Sequence, residues 1–265
     1  MPSLVRSLLS RIYLDQFAQD LLAITRDARR TVAWRSRRDL TGADRRLKRE
    51  YFATSGPRML NLGCGRHPLP GWLNSDYHPE SDRELYLDVR KPFPFEPATF
   101  DFVYSEHMIE HLTRAQARFM LGECARVLRP GGRLRVATPN LVFLVEMYRS
   151  EKTPLQLRYL AWAAQSSGLP QDEADDIYII NHFVRAWGHR FIYDEKSLQR
   201  AMEQAGLGEI TAFRPGESKS AELRGLENLR QMPAEFYDME TLILEGSQAY
   251  GHRVSQCSAA RSPRT

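Results

Sequence analysis

The sequence predicts an α/β fold: a seven-stranded, mostly parallel sheet with helices on both faces. Three observations predict it. From Arg58 onward, short apolar runs alternate with segments of helical periodicity, the pattern of strands joined by helical crossovers. A glycine turn follows the first of those runs, and an aspartate closes each of the next two. A Pro-Gly-Gly break over 130–132 then separates a long helical segment from another strand-like run. The chain has 265 residues, 42% hydrophobic and 26% charged, a globular composition that suits one large domain with appendages.

The elements follow in order. Residues 1–50 hold twelve Lys/Arg against six Asp/Glu, a net +6, whereas the rest holds 25 against 27, a net −2. Leu4, Val5, Leu8, Leu9, Ile12, Tyr13, Phe17, Leu21 and Leu22 recur near helical spacing, which predicts a basic amphipathic N-terminal helix. Three partners suit it: its own domain or a sister subunit, an anionic membrane surface met through residues 1–25, or nucleic acid. The Arg35–Arg49 run has no aromatic residues interleaved to stack bases, which weighs against nucleic acid.

Met59–Leu62 reads as the first strand, Leu73–Ser75 as the second and Leu85–Leu87 as the third. Phe102–Tyr104 makes the fourth, with Phe100-Asp101 leading in. A helix fits Thr113–Leu128, with Ala117, Leu121, Cys124 and Leu128 on one face, and Arg133–Ala137 supplies the fifth strand. Helical stretches follow around 143–148 and 154–165, Asp194 caps a helix from Glu195, and 210–213 and 241–244 close the sheet. The expected organisation is a helical extension over 1–50, a main domain over 51–248 with an insertion over 142–190, and a disordered tail over 249–265.

Three cysteines without a CxxC pair, Cys64, Cys124 and Cys257, speak against a disulfide framework and a structural zinc site. No apolar run approaches the roughly 18 residues of a membrane helix, and Arg6 and Arg11 interrupt any signal-peptide pattern. The expectation is a cytoplasmic protein, with peripheral membrane contact as the variant the N-terminus allows.

Leu60-Asn61-Leu62-Gly63-Cys64-Gly65, followed by Gly71-Trp72-Leu73-Asn74-Ser75-Asp76, resembles the cofactor site of class I S-adenosylmethionine-dependent methyltransferases. The segment Asp101–Leu112 is similar to that family's fourth-strand motif, and Arg126–Leu134 to its fifth-strand entry. The nearer resemblance is to predicted bacterial members with an abbreviated first loop, often associated with polysaccharide synthesis; Trp187–Asp194 adds to it. The resemblance implies a Rossmann-like sheet and S-adenosylmethionine as cofactor. By that resemblance Leu62, Gly63, Cys64, Gly65, Asp76, Asp88, Val89, Ser105 and Glu106 hold it. Asp76 would take the ribose hydroxyls, Asp88 the adenine amino group, and Val89 would give backbone contacts.

The chain departs from that pattern in two ways. Asn61 stands where the family's turn begins with an acid, and the third glycine is missing. Only eleven positions separate Gly65 from Asp76, and Pro68 and Pro70 fall between them, so a shortened first helix or a loop is expected there.

Methyl transfer from a sulfonium is an in-line displacement that needs an oriented nucleophile and often a base. His107, just past strand four, is the first candidate base, because imidazole titrates near neutrality; Glu110 and His111 complete the catalytic candidates. His107, Glu110 and His111 also reproduce, with histidine for the first glutamate, the Glu-x-x-Glu-His spacing of some metal-dependent methyltransferases. If a helical turn begins near His107, the three face one way. His182 or His189 would then supply a fourth ligand, to a transition metal in preference to magnesium. The alternative is that Glu110-His111 braces the sheet edge without metal.

Residues 142–190 are expected to form either an acceptor lid, lined by Tyr178, His182, Trp187 and His189, or a homodimer contact. The functional expectation is O-methylation of a sugar, glycan precursor or other small molecule. A silent cofactor-binding scaffold is the alternative. A nucleic-acid methyltransferase is disfavoured by the −2 charge beyond residue 50.

Overall fold

The computed structural model describes residues 32, 34–168, 175–230 and 232–248. The amphipathic stretch over Leu4–Leu22, the acids 172–174 and the 249–265 tail lie outside them. The chain forms two compact units, Met1–Ala53 and Thr54–Thr265. In the first, helix α1 (Ala43–Phe52) carries Asp44 in its first turn and Arg49 in its last, charges that complement the helix dipole. Arg38 Nε donates to Asp44 Oδ1 at 2.9 Å, and the Arg38 guanidinium lies 4.5 Å from the centre of the Trp34 ring.

The second unit holds strands β1 (Met59–Leu62), β2 (Leu73–Asp76), β3 (Leu85–Tyr86), β4 (Phe100–Glu106), β5 (Leu128–Pro139), β6 (Leu207–Ala212) and β7 (Thr241–Gln248). They form one seven-stranded sheet in the order β3-β2-β1-β4-β5-β7-β6. Strands β1 to β5 run parallel, and β7 is antiparallel to both β5 and β6. The order reverses between β1 and β4, which opens a crevice at the carboxyl ends of those strands.

Helix α2 (Arg114–Val127) starts on a capping box in which Thr113 and Gln116 satisfy each other's backbone N–H. The Pro-Gly-Gly segment was expected to precede the fifth strand, yet β5 already begins at Leu128. A register shift between Phe100 and Phe102 absorbs the extra residues as an irregularity in the ladder. The predicted strands exist, and most extend past their sequence-based ends because pairing continues beyond the apolar run. β1 keeps its expected bounds, β3 ends one residue early at Tyr86, and β6 starts three residues early and ends one short at Ala212.

The two sheet faces differ in chemistry. Leu60, Val103, Leu134 and Val136 are fully buried on the face covered by α2 and by α6 (Glu195–Gln204). Asp194 caps α6, its carboxylate accepting from Ser197 N at 2.9 Å. Asn61, Tyr104, Arg135 and Glu245 align across β1, β4, β5 and β7 on the opposite face. Arg135, fully buried, donates through Nε to Glu227 Oε1 at 2.6 Å. Its Nη1 donates to Glu245 Oε1 at 2.6 Å and to the Glu217 carbonyl at 2.8 Å. A parallel sheet is ordinarily apolar on both faces; here one face buries a charged network.

The insertion after β5 supplies α3 (Leu141–Met147), α4 (Pro154–Ser167) and α5 (Asp176–Arg185). These helices share an aromatic-rich core of Phe143, Tyr159, Leu160, Ile179 and Phe183, completed by Phe236 of α7 (Ala234–Glu240). Among the described residues no helix is long and apolar enough to cross a membrane.

Candidate active site

The site lies where β1 and β4 end. After β1 the chain turns at Gly63 with φ +68°, and a Cβ there would stand 2.7 Å from Met108 Cγ. Gly65 follows at φ +47°, and a Cβ there would meet nothing within 4 Å, so its backbone is open to an approaching ligand. Residues 63–72 form turns and not a helix, as the two prolines predict. Asn74 pins this loop: its Oδ1 accepts from Leu69 N at 2.7 Å, and its Nδ2 donates to the Leu69 carbonyl at 2.9 Å. Asn61 Nδ2 in turn donates to Asn74 Oδ1 at 2.9 Å. The residue that replaces the usual acid thus belongs to the brace that holds a helix-free turn.

Asp76 closes the loop from the other side. Its Oδ2 accepts from Gly65 N at 2.9 Å and its Oδ1 from His78 N at 2.7 Å, which fixes the carboxylate beside the glycine turn. Asp88 is placed differently. Both of its oxygens accept from Arg90, at 2.7 and 3.1 Å. Burial works against its charge, but Arg90 and Lys91 outweigh it and hold the carboxyl below the usual range. Val89 lies half-buried next to it.

A cavity of about 180 Å³ opens at the β1 turn, lined among others by Gly63, Cys64, Gly65, Glu106, His107 and Tyr237. Burial, with Glu84 and Asp76 adding to it, pushes the Cys64 thiol up to about 12, so it stays neutral and unreactive. Leu62 and Ser105, paired across β1 and β4, are fully buried. Glu106 Oε1 accepts from Tyr237 Oη at 2.6 Å and from Asn228 N at 2.9 Å.

A second cavity, of about 460 Å³, lies between the end of β5 and the inserted helices. Tyr159, Trp162, Phe183 and Trp187 give it aromatic walls, and His111, His182, His189 and Glu240 give it polar groups. Of the four residues expected to line a lid, Tyr178 does not: it is exposed near the start of α5. Tyr159 Oη donates to Glu240 Oε2 at 2.5 Å. Burial raises the Glu240 carboxyl above its ordinary value, against the pull of Tyr159 and His107.

His107 lines both cavities. Its backbone is left-handed at φ +45°, held by a hydrogen bond from its N–H to the Ala137 carbonyl at 2.9 Å. Its Nδ1 stands 3.4 Å from Oε1 of the fully buried Glu110. Burial alone would lower this imidazole, but Glu110 first, then Glu106 and Glu240, raise it above its ordinary value. Burial likewise opposes the charge on Glu110, and His107 with His111 holds that carboxyl low.

Of the expected cluster, His107 and Glu110 come together, 3.4 Å apart, though not on one helical turn. The helical turn spans only Ile109–His111, and the left-handed His107 precedes it. Glu110 and His111 also meet His189, and one ligand atom of each lies within 4.8 Å of the others.

Sequence reasoning missed Asn74, Asn228, Met232, Tyr237, Glu240 and the position of Tyr159 in the site. Asn74 had a local signal, a polar residue inside an otherwise buried strand. The others come from distant segments that only the fold brings near.

Residues 60–136 match the family model for a methyltransferase domain. That stretch runs from β1 into β5 and includes the glycine turn and Asp76. The chain is also similar to the biotin biosynthesis bifunctional protein BioHC of Cellvibrio japonicus, 26% identical over 156 residues. That match covers 59% of this chain and 24% of the relative, so the chain spans about a quarter of that protein's length. Among solved structures, it is similar to an S-adenosylmethionine-dependent methyltransferase of Mesorhizobium loti, with 15% identity and a TM-score of 0.43 over 73% of this chain and 91% of the other. It is also similar to a possible histamine N-methyltransferase of Thermotoga maritima, with 16% identity and a TM-score of 0.42 over 83% of this chain and 97% of the other.

Proposed function

We propose that the chain transfers a methyl group from S-adenosylmethionine to a hydroxyl of a sugar, glycan precursor or similar small polar molecule. The observation that carries this reading is that His107 lines both cavities. The residues at the β1 turn fit the cofactor. Gly65 leaves open backbone, Asp76 offers a fixed carboxylate beside it, and the neutral Cys64 presents no competing nucleophile. The enclosed volume is below the roughly 300–1,000 Å³ of most small-molecule sites, so an extended nucleoside would run out along the open edge beside Asp76.

The cofactor supplies an electrophilic methyl group on a sulfonium. The chain's part is to orient the acceptor oxygen in line with that methyl and to take its proton. His107 accepts the proton when its imidazole is neutral. The buried Glu110 carboxylate near Nδ1 steers the ring and stabilises the imidazolium that forms. The aromatic walls and hydrogen-bonding rim of the larger cavity suit an acceptor with apolar faces and hydroxyl edges. In this reading the insertion is the acceptor lid and the protein works in the cytoplasm.

The test is turnover on a panel of sugar, glycan-precursor and small phenolic acceptors with labelled S-adenosylmethionine, alongside calorimetric titration with the cofactor and with S-adenosylhomocysteine. Saturable binding and methylation of a hydroxyl acceptor support the reading. Binding without turnover on any acceptor would favour a silent cofactor-binding scaffold.

A further inference from the structure

Glu110, His111 and His189 meet in the larger cavity, and the methyl-transfer reading uses only the first of them. Glu110 and His111 sit on the short turn after β4, whereas His189 comes from the far end of the insertion. A carboxylate oxygen and a ring nitrogen from each histidine lie within 4.8 Å of one another. Among the described residues this is the one such group of three. His182 lines the same cavity and stands outside the group, as does His107.

The surroundings are those of a ligand set. His189 Nδ1 lies 2.7 Å from the Phe183 carbonyl oxygen. A carbonyl can only accept, so Nδ1 carries the proton and Nε2 is left with its lone pair. Metal-binding histidines are held in this way, the distal N–H bonded to a fixed acceptor. Glu110 Oε2 accepts from the Thr138 hydroxyl at 3.1 Å, which sets the plane of the carboxylate. Its Oε1 is buried without a hydrogen bond, and His107 Nδ1 stands 3.4 Å from it. An acceptor left in that state is costly, and a cation beside it relieves the cost.

We propose that Glu110, His111 and His189 bind one divalent transition-metal ion whose open coordination positions face the acceptor cavity. Two imidazoles and one carboxylate suit zinc, cobalt or nickel better than magnesium or calcium, which prefer all-oxygen shells. Three protein ligands leave room for a fourth, such as a water or an acceptor hydroxyl. Metal–ligand bonds of about 2.0–2.1 Å put neighbouring tetrahedral ligands about 3.4 Å apart, within reach of small rotations of two half-buried histidine side chains. That the ion would orient an acceptor rests on the methyl-transfer reading; that it binds does not.

The test uses the full-length, tag-free protein after chelator dialysis. Titration with cobalt(II) is followed by its visible d–d absorption, and zinc(II) binding by calorimetry. One equivalent should bind. His111→Ala and His189→Ala should each weaken affinity at least about 100-fold, a floor set by what removing an outer-shell partner alone costs. His78→Ala, an exposed position away from the cavity, should bind as the wild type does. S-adenosylhomocysteine affinity, measured on each variant, reports the fold. Wild-type protein that takes no stoichiometric ion, or two well-folded histidine variants with unchanged affinity, would overturn the proposal. Stoichiometric metal without any S-adenosylhomocysteine binding would leave the metal site standing and remove the methyl-transfer reading.

Discussion

His107 Nδ1 stands 3.4 Å from Glu110 Oε1, so a surface-reaching imidazole at the end of β4 is steered by a carboxylate with no exposure to solvent. The left-handed backbone of His107 turns this side chain into the space shared by the two cavities. For a bulky residue such a conformation costs about 1–3 kcal/mol and persists where the surroundings enforce it. The strain and the pairing therefore both fall on a residue that lines both cavities.

Replacing that residue separates binding from chemistry. His107→Ala is expected to leave S-adenosylhomocysteine affinity within about threefold of wild type, because Gly65, Asp76 and the open turn remain. Its kcat should fall about 10²- to 10⁴-fold, the usual contribution of a positioned base. Single-turnover kinetics on an accepted substrate would measure this; kcat retained within a factor of two would sink the base assignment.

The pH profile follows from the directions of the shifts. Glu110 raises His107 above its unperturbed value, which is about 6.5, and a base must be neutral to act. The rate should therefore rise with pH through a midpoint above that value. Glu110→Gln should move the midpoint down. Stability follows the opposite course: the pair's contribution from His107 is full below the unfolded value and is lost as pH rises through the raised folded one. Glu110, held low, contributes above its unfolded value and loses that contribution as pH falls through its folded one. A rate profile flat between pH 6 and 8.5 would argue against His107 as the titrating group.

Asp76 makes a different contribution. Its two oxygens already hold Gly65 N and His78 N, so Asp76→Ala removes a ribose acceptor and loosens the turn at once. Hydrogen bonds to a charged group are worth about 1.5–3 kcal/mol, and 1.4 kcal/mol is tenfold in affinity. Cofactor affinity should thus fall about 10- to 100-fold by calorimetry, with Tm nearly unchanged because the group is partly exposed. Asp88→Ala supplies the contrast: both Asp88 oxygens are taken by Arg90, so its effect should be chiefly on stability.

The sheet was legible in the sequence because its signals are local. Apolar runs ending in Gly63, Asp76 and Asp88, the helical periodicity from Thr113, and Asp194 before α6 each act within a few residues. The helix-free first loop was legible too, since Pro68 and Pro70 forbid the helix. The site was legible only on its sheet side. His107, Glu110 and His111 are adjacent in sequence, but their mutual facing depended on a backbone φ that periodicity does not encode. Tyr237, Glu240 and Tyr159 reach the site by tertiary packing, and nothing in their own neighbourhoods announces it. The polar sheet face was visible only in part: Asn61 and Arg135 are odd residues for central strands, but their partners Asn74, Glu227 and Glu245 are fixed by the fold.

That polar face makes the last prediction. Arg135 is fully buried and holds Glu227, Glu245 and the Glu217 carbonyl, which ties the 216–230 segment to β5 and β7. Arg135→Met keeps much of the volume but leaves two carboxylates buried without their cation. Removing one partner from such a network costs about 3–5 kcal/mol, or about 6–20 °C in Tm for a domain of this size. Neutralising the carboxylates in the same chain, with Glu227→Gln and Glu245→Gln added to Arg135→Met, should recover part of the loss, because the penalty comes from uncompensated charge and not from lost packing. Differential scanning calorimetry on the single and triple variants decides it. An Arg135→Met Tm within about 2 °C of wild type, or a triple variant less stable than the single one, would mean that the network contributes through packing alone.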